Sequence, residues 1–212
     1  MRSKQSLSTF VWTSLAKSLC AWGESYLRRD EPQRALGVLN RALRLDPTSA
    51  EAYGYRGSAH CRLGAYQDAI TDFNTAIALT PHNAQLYVNR GLAFYAIGSY
   101  ADALGDFNWA IYLDPQMALA YNHRGLADEA IGNLDGAIAD YTQALHIDDH
   151  LAVVYANRAR ARLGRGDVKN AIRDLRYYLH LTCHMMTRER LEVETLLGQL
   201  LSHADERSIQ AA

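Results

Sequence analysis

The stretch Ala84–Met117 reads AQLYVNRGLAFYAIGSYADALGDFNWAIYLDPQM, and close copies of it lie on either side. Two amphipathic segments flank Gly98, and the unit stops at Pro115, whose ring cannot continue a helix and biases Asp114 away from the α region. This is the pattern of a helical hairpin. Sliding the chain against itself by 34 positions aligns residues 16–49, 50–83, 84–117, 118–151 and 152–185 without a gap.

The register is written in residue size. Position 4 reads Leu19, Tyr53, Tyr87, Tyr121, Tyr155, and position 8 reads Gly23, Gly57, Gly91, Gly125, Ala159. Position 20 is always alanine (Ala35, Ala69, Ala103, Ala137, Ala171), and position 24 is large (Leu39, Phe73, Phe107, Tyr141, Leu175). Position 27 is Ala42, Ala76, Ala110, Ala144 and then Tyr178. Small residues let two helices approach while large ones fill the gap opposite. Apolar or small residues at positions 1, 4 and 8, and again at 20, 21, 24, 27, 28 and 30, mark two one-sided helices. One such hairpin cannot offset its ordering entropy, whereas a stack shares burial across interfaces, so the expected fold is an all-α solenoid.

With its small residues at positions 8, 20 and 27 and its repeat-ending Pro47, Pro81 and Pro115, the chain resembles the tetratricopeptide repeat family. The resemblance spans residues 16–185, and it implies a right-handed superhelix of antiparallel helix pairs. Asp149 and Cys183 replace the proline in the last two repeats, where longer helices or looser junctions are expected. Residues 1–15 read as a lead-in whose Phe10, Trp12 and Leu15 cover the first repeat. Thr187 is the expected N-cap of a solvating helix over 186–202, with Leu191, Val193, Leu196, Leu197, Leu200 and Leu201. Residues 203–212 read as a frayed tail.

Composition narrows the function. A formal net charge of −1 over 212 residues gives no bulk reason to bind nucleic acid or an anionic membrane. No stretch approaches the roughly 20 apolar residues of a membrane span. Three widely spaced cysteines, Cys20, Cys61 and Cys183, make no disulfide framework and suit a reducing compartment. Arg2 and Lys4 precede Phe10, Val11 and Trp12, but Ser6, Ser8, Thr9, Thr13 and Ser14 break the run, so no export signal is read. A cytoplasmic location is expected.

Position 7 is Trp22, Arg56, Arg90, Arg124, Arg158, and position 23 is Val38, Asp72, Asp106, Asp140, Asp174. Arginine and aspartate occur together four times and vanish together once, which predicts an ion pair between the helices of a repeat or between adjacent repeats. The competing reading of those arginines is a row for phosphate or an acidic ligand.

No catalytic constellation or phosphate loop emerges, so no enzyme activity and no cofactor are expected. His146 with His150, and His180 with His184, stand four apart at positions 29 and 33, and HLTCHMM offers nitrogen and sulfur donors. Histidine near a helix C-terminus is favoured by the dipole in any case, and no metal site is assigned.

The family resemblance implies a concave groove lined by the first helix of each repeat at positions 2, 5, 6, 9, 12 and 13. Carried onto this sequence, the partner-binding candidates are Tyr55, Arg62, Gln85, Val88, Asn89, Leu92, Tyr95, Leu119, Asn122, His123, Leu126, Asn157 and Arg160. Val88, Leu92, Tyr95, Leu119 and Leu126 form the apolar centre, and Tyr55, Asn89, Asn122 and Asn157 are placed to bond a partner's backbone. The subfamily that grips chaperone C-terminal carboxylates uses a Lys and Asn set that Cys20, Glu24, Gly54 and Ser58 do not reproduce. The leading expectation is a scaffold that binds a protein or peptide partner. Self-association into a homo-oligomer through the ends, near Trp12 or Tyr177 and Tyr178, is the second, and metal handling by the histidine edge the third.

Overall fold

The computed structural model describes the backbone of residues 2–185 and 187–210, and the side chains of 12–185 and 187–202. Phe10 and the tail from residue 203 fall outside the described side chains. Among the described residues there are eleven helices and no strand: α1 (Arg2–Arg28), α2 (Pro32–Leu45), α3 (Ala50–Arg62), α4 (Tyr66–Leu79), α5 (Ala84–Ala96), α6 (Tyr100–Leu113), α7 (Ala118–Ala130), α8 (Leu134–Ile147), α9 (Ala152–Gly164), α10 (Val168–Leu181) and α11 (Arg188–Gln210). Helix α1 takes in most of the segment read as a lead-in, where Trp12 and Leu15 are exposed. Helix α11 starts after Thr187, whose hydroxyl oxygen accepts the Arg190 N–H at 3.2 Å, and runs beyond the expected span.

The helices fall into two compact units, residues 1–114 and 115–212. In the first, α1/α2, α3/α4 and α5/α6 are antiparallel hairpins, with α2 packed on α3 and α4 on α5. In the second, α7/α8 and α9/α10 are the hairpins, α8 packs on α9, and α11 rests on α10.

Inside each hairpin the chain reverses at position 15 through left-handed backbone. Gly64, Gly98, Gly132 and Gly166 hold φ between 75° and 83°, and Asp30 takes the same place in the first repeat with φ 57°. Glycine carries no Cβ penalty there, and Asp30 does. Between hairpins, the missing prolines do not lengthen the helices. Helix α8 ends at Ile147 in the register where α4 and α6 end, because Asp148 Oδ1 accepts the His150 N–H at 3.0 Å and turns the backbone away. Asp46 makes the same turn, accepting from Thr48 N at 3.0 Å.

The core of each hairpin is an aromatic or leucine side chain set against a glycine, or in the last hairpin against Ala159. A Cβ on Gly57, Gly91 or Gly125 would lie within 2.8 Å of the ring of Phe73, Phe107 or Tyr141, and those three rings are fully buried.

A polar ladder ties the helices together. Arg56, Arg90, Arg124 and Arg158 each donate Nε and Nη2 to the two carboxylate oxygens of Asp72, Asp106, Asp140 and Asp174, at 2.6 to 2.9 Å. The carboxylate's hydrogen bond holds Arg56, Arg90 and Arg124 further toward the charged form. The third nitrogen reaches back one repeat: Arg56 Nη1 donates to Asn40 at 2.9 Å, Arg90 Nη1 to Asn74 at 2.5 Å and Arg158 Nη1 to Thr142 at 3.2 Å. The pairing is therefore within a repeat and the relay between repeats. In the first repeat Trp22 with Val38 stands where the other four repeats carry the pair.

Candidate partner-binding surface

The first helices of the repeats present one face that packs and one that does not. Position 5 belongs to packing: Cys20, Gly54, Val88 and Asn122 are all buried. Asn157 Nδ2 donates to Asn122 Oδ1 at 3.0 Å, and with only 6% and 4% of their surface exposed these two amides satisfy each other and tie α9 to α7. Val88, Asn122 and Asn157 thus stand inside the fold rather than on a face open to a partner, because the turn of the helix brings them against the neighbouring repeat.

Arg62 and Arg160 are also engaged. Arg62 Nη1 donates to the Leu27 carbonyl and to Asp30 Oδ1, closing the C-terminal end of α1. Arg160 donates from Nε and Nη2 to Glu129 at 2.7 and 3.1 Å, and the Tyr141 hydroxyl donates to the same carboxylate at 3.0 Å. Gln85 Nε2 donates to Asn89 Oδ1 at 2.9 Å, and Tyr95 stacks at a tilt on Tyr100 with ring centroids 5.3 Å apart. Burial, followed by the nearby Glu24 carboxylate, pushes the Tyr55 hydroxyl up from its ordinary range. Burial likewise lowers His123, favouring its neutral imidazole.

Positions 2 and 9 remain on the surface. In the first unit these are mostly polar, Lys17, Glu51 and Gln85, joined by exposed Leu92. In the second unit they are apolar except for Arg160: Leu119 is 48% and Val153 53% exposed, and Leu126 is half-buried. Beside Val153 lies an open cavity of about 560 Å³, walled by Val153, Ala156 and Leu163 of α9, Leu175 and Tyr178 of α10, and Val193 and Leu196 of α11. Sequence reasoning treated α11 as a solvating cap and missed this cavity. The available signal was the small Ala152 and Ala156 facing a helix with apolar residues at 193 and 196.

A second exposed feature also lay outside the sequence reading. Tyr87 stacks on Trp109 at 6.4 Å, and Trp109 meets Tyr112 edge to face at 5.5 Å on the outer side of α5 and α6. Of the histidine edge, His150 lies with Asp148 and Asp149 within ligand reach of one another, all on the turn before α9. His180 and His184 join no three-donor group among the described residues. No helix among the described residues is long and apolar enough to cross a membrane.

Comparison with known proteins agrees with the repeat geometry. Models described as tetratricopeptide repeat match residues 23–88 and 88–152. No curated protein matches the chain. Among solved structures, PilW, a widely conserved type IV pilus biogenesis factor, is 19% identical with a TM-score of 0.81, over 93% of this chain and 93% of that one. MamA from Desulfovibrio magneticus RS-1, residues 41 to the end, is 24% identical with a TM-score of 0.72, over 82% of this chain and 98% of that one. YrrB, described as a tetratricopeptide repeat protein with an unusual peptide-binding site, is 20% identical with a TM-score of 0.63, over 89% and 90%. With its ungapped helical hairpins and two adjoining repeat matches that together span residues 23–152, the chain belongs to the tetratricopeptide repeat family.

Proposed function

We propose that this protein is a non-catalytic interaction scaffold that holds a peptide or helix of a partner protein against the first helices of its repeats. A role in general protein interaction follows from the family; the first-helix face is our own assignment. The observation that carries it is the open apolar cavity beside α9, continuous with exposed Val153, where the repeats leave apolar surface without a covering element. That YrrB is described as having a peptide-binding site supports the same use of this fold.

The test compares partners captured by the wild-type chain with those captured by a Leu92→Glu, Leu119→Glu, Val153→Glu variant. All three side chains are exposed, so helical content by circular dichroism is expected to hold. Partners reduced about tenfold or more are ligands of this face. Survival of every partner overturns the assignment. Self-association is the second reading, favoured by exposed Trp12, Leu15 and Trp22 along α1. Light scattering over a concentration series is its test, with a mass that rises in the absence of any partner as the supporting result.

A further inference from the structure

The cavity between α9, α10 and α11 is built differently from the rest of the repeat surface. Between α3 and α10, each helix carries at least four buried residues. Helix α11 carries no buried residue among those described: Val193, Leu196, Leu197 and Leu200 pack on Ala159, Ala171 and Leu175 yet stay half-buried. It stands off from α9 as a wall, and the space it encloses is within the ~300–1,000 Å³ of ordinary ligand pockets.

The threonine hydroxyls of the walls are already used. The Thr182 hydroxyl donates to the Tyr178 carbonyl at 2.8 Å and accepts from Arg190 Nη1 at 3.2 Å, and Thr187 Oγ1 caps α11. Apart from the Tyr178 hydroxyl the interior is lined by Val153, Ala156, Leu163, Leu175, Val193 and Leu196, so what enters is chiefly apolar. The mouth is different. Arg160 is matched by Glu129, and Glu192 by Arg188 at 2.8 Å, which leaves the carboxylate of Glu189 as the surplus charge at the rim.

We infer that this pocket takes one aromatic or long aliphatic side chain of a partner protein segment, with a lysine or arginine beside it that meets Glu189. Exposed Met185 at the lip adds a thioether that adapts its shape to such a side chain. The inference rests on the reading that the first-helix face holds a partner segment, and it names where that segment is anchored and what chemistry it brings.

The test is selection of a phage-displayed random library of roughly 12-residue peptides on the full-length protein, then fluorescence anisotropy with the enriched peptides. The enriched sequences should pair an apolar residue with a neighbouring lysine or arginine. Ala156→Phe, which fills the cavity, and Val153→Glu at its exposed edge should each weaken binding about tenfold, with unchanged helical content. Glu189→Lys should weaken it several-fold and flatten its salt dependence. Leu92→Glu, in the other unit, should leave it unchanged. Enriched peptides that respond to Leu92→Glu or Leu119→Glu but not to Ala156→Phe and Val153→Glu would overturn the pocket while leaving the first-helix reading in place. An acidic consensus, or tighter binding to Glu189→Lys, would overturn the proposed ligand chemistry. Peptides indifferent to every one of these substitutions, or no enrichment at all, would overturn both readings.

Discussion

Replacing Asp106 with alanine probes the ladder on which the repeats are hung. Asp106 is 4% exposed, and its two oxygens accept from Arg90 Nε at 2.8 Å and Nη2 at 2.6 Å. Asp106→Ala removes both acceptors and leaves a largely buried guanidinium with one remaining hydrogen bond, to Asn74, beside the Tyr87 and Phe94 rings. Breaking a buried pair by deleting one partner costs about 3–5 kcal/mol. Because the Arg90 side chain keeps 20% of its surface in water, the low end applies, about 3 kcal/mol. Urea unfolding followed by circular dichroism measures it, and hydrogen exchange should locate the loss in α4, α5 and α6, since a repeat array transmits a defect to its neighbours first. Two controls sharpen the reading. Glu192→Ala, which breaks an exposed pair with Arg188, should barely move the midpoint. The double variant Arg90→Met, Asp106→Leu should recover most of the stability, because no uncompensated charge remains. A loss below about 1 kcal/mol for Asp106→Ala, or a double variant no better than the single one, would refute the claim that the carboxylate compensates a buried charge.

Gly91→Ala would place a Cβ 2.7 Å from a ring carbon of Phe107, and overpacking of this kind should cost about 1–3 kcal/mol in the same urea assay. Asp30→Gly relieves a left-handed aspartate at φ 57° and gives up only a solvent-exposed contact with Arg62 at 3.2 Å, so a gain of about 0.5–1 kcal/mol is expected in thermal or urea unfolding. Burial, with the nearby Asp140 carboxylate, raises the Asp128 carboxyl above its ordinary range, against the lowering effect of its Asn133 hydrogen bond. A raised folded pKa means that the folded state holds this proton more tightly, so Asp128 costs stability above that pKa and the cost is lifted as pH falls through it. Asp128→Asn should therefore be a few tenths of a kcal/mol more stable than wild type at pH 7, with the difference vanishing in unfolding series taken toward pH 4; a difference independent of pH would contradict the assignment.

Much of the fold was legible because a repeat states each rule several times. Glycine at 57, 91 and 125 opposite an aromatic at 73, 107 and 141 shows the close approach of two helices three times over. The joint loss of arginine and aspartate at Trp22 and Val38 pointed to their contact before any distance was known. The candidate site was legible only in part. A first-helix position can be placed on a side of the helix from its spacing, but the depth at which it sits depends on the crossing of neighbouring helices. Val88, Asn122 and Asn157 fell on the buried side of that line, and Leu92, Leu119 and Val153 on the exposed side.

Periodicity alone therefore determined the hairpins, their order, the small-against-large packing and the two positions that form the ion pairs, while leaving open whether each pair lies within a repeat or between repeats, since each is a relation repeated at a spacing of 34. Tertiary structure decided the rest. It showed that the ladder relays through Asn40, Asn74 and Thr142, that two asparagines consume each other, and that α11 stands off from α9 to leave a pocket. The reason is the same in each case: these features depend on how one element packs on the next, and α11, which belongs to no repeat, had no second copy from which its packing could be read.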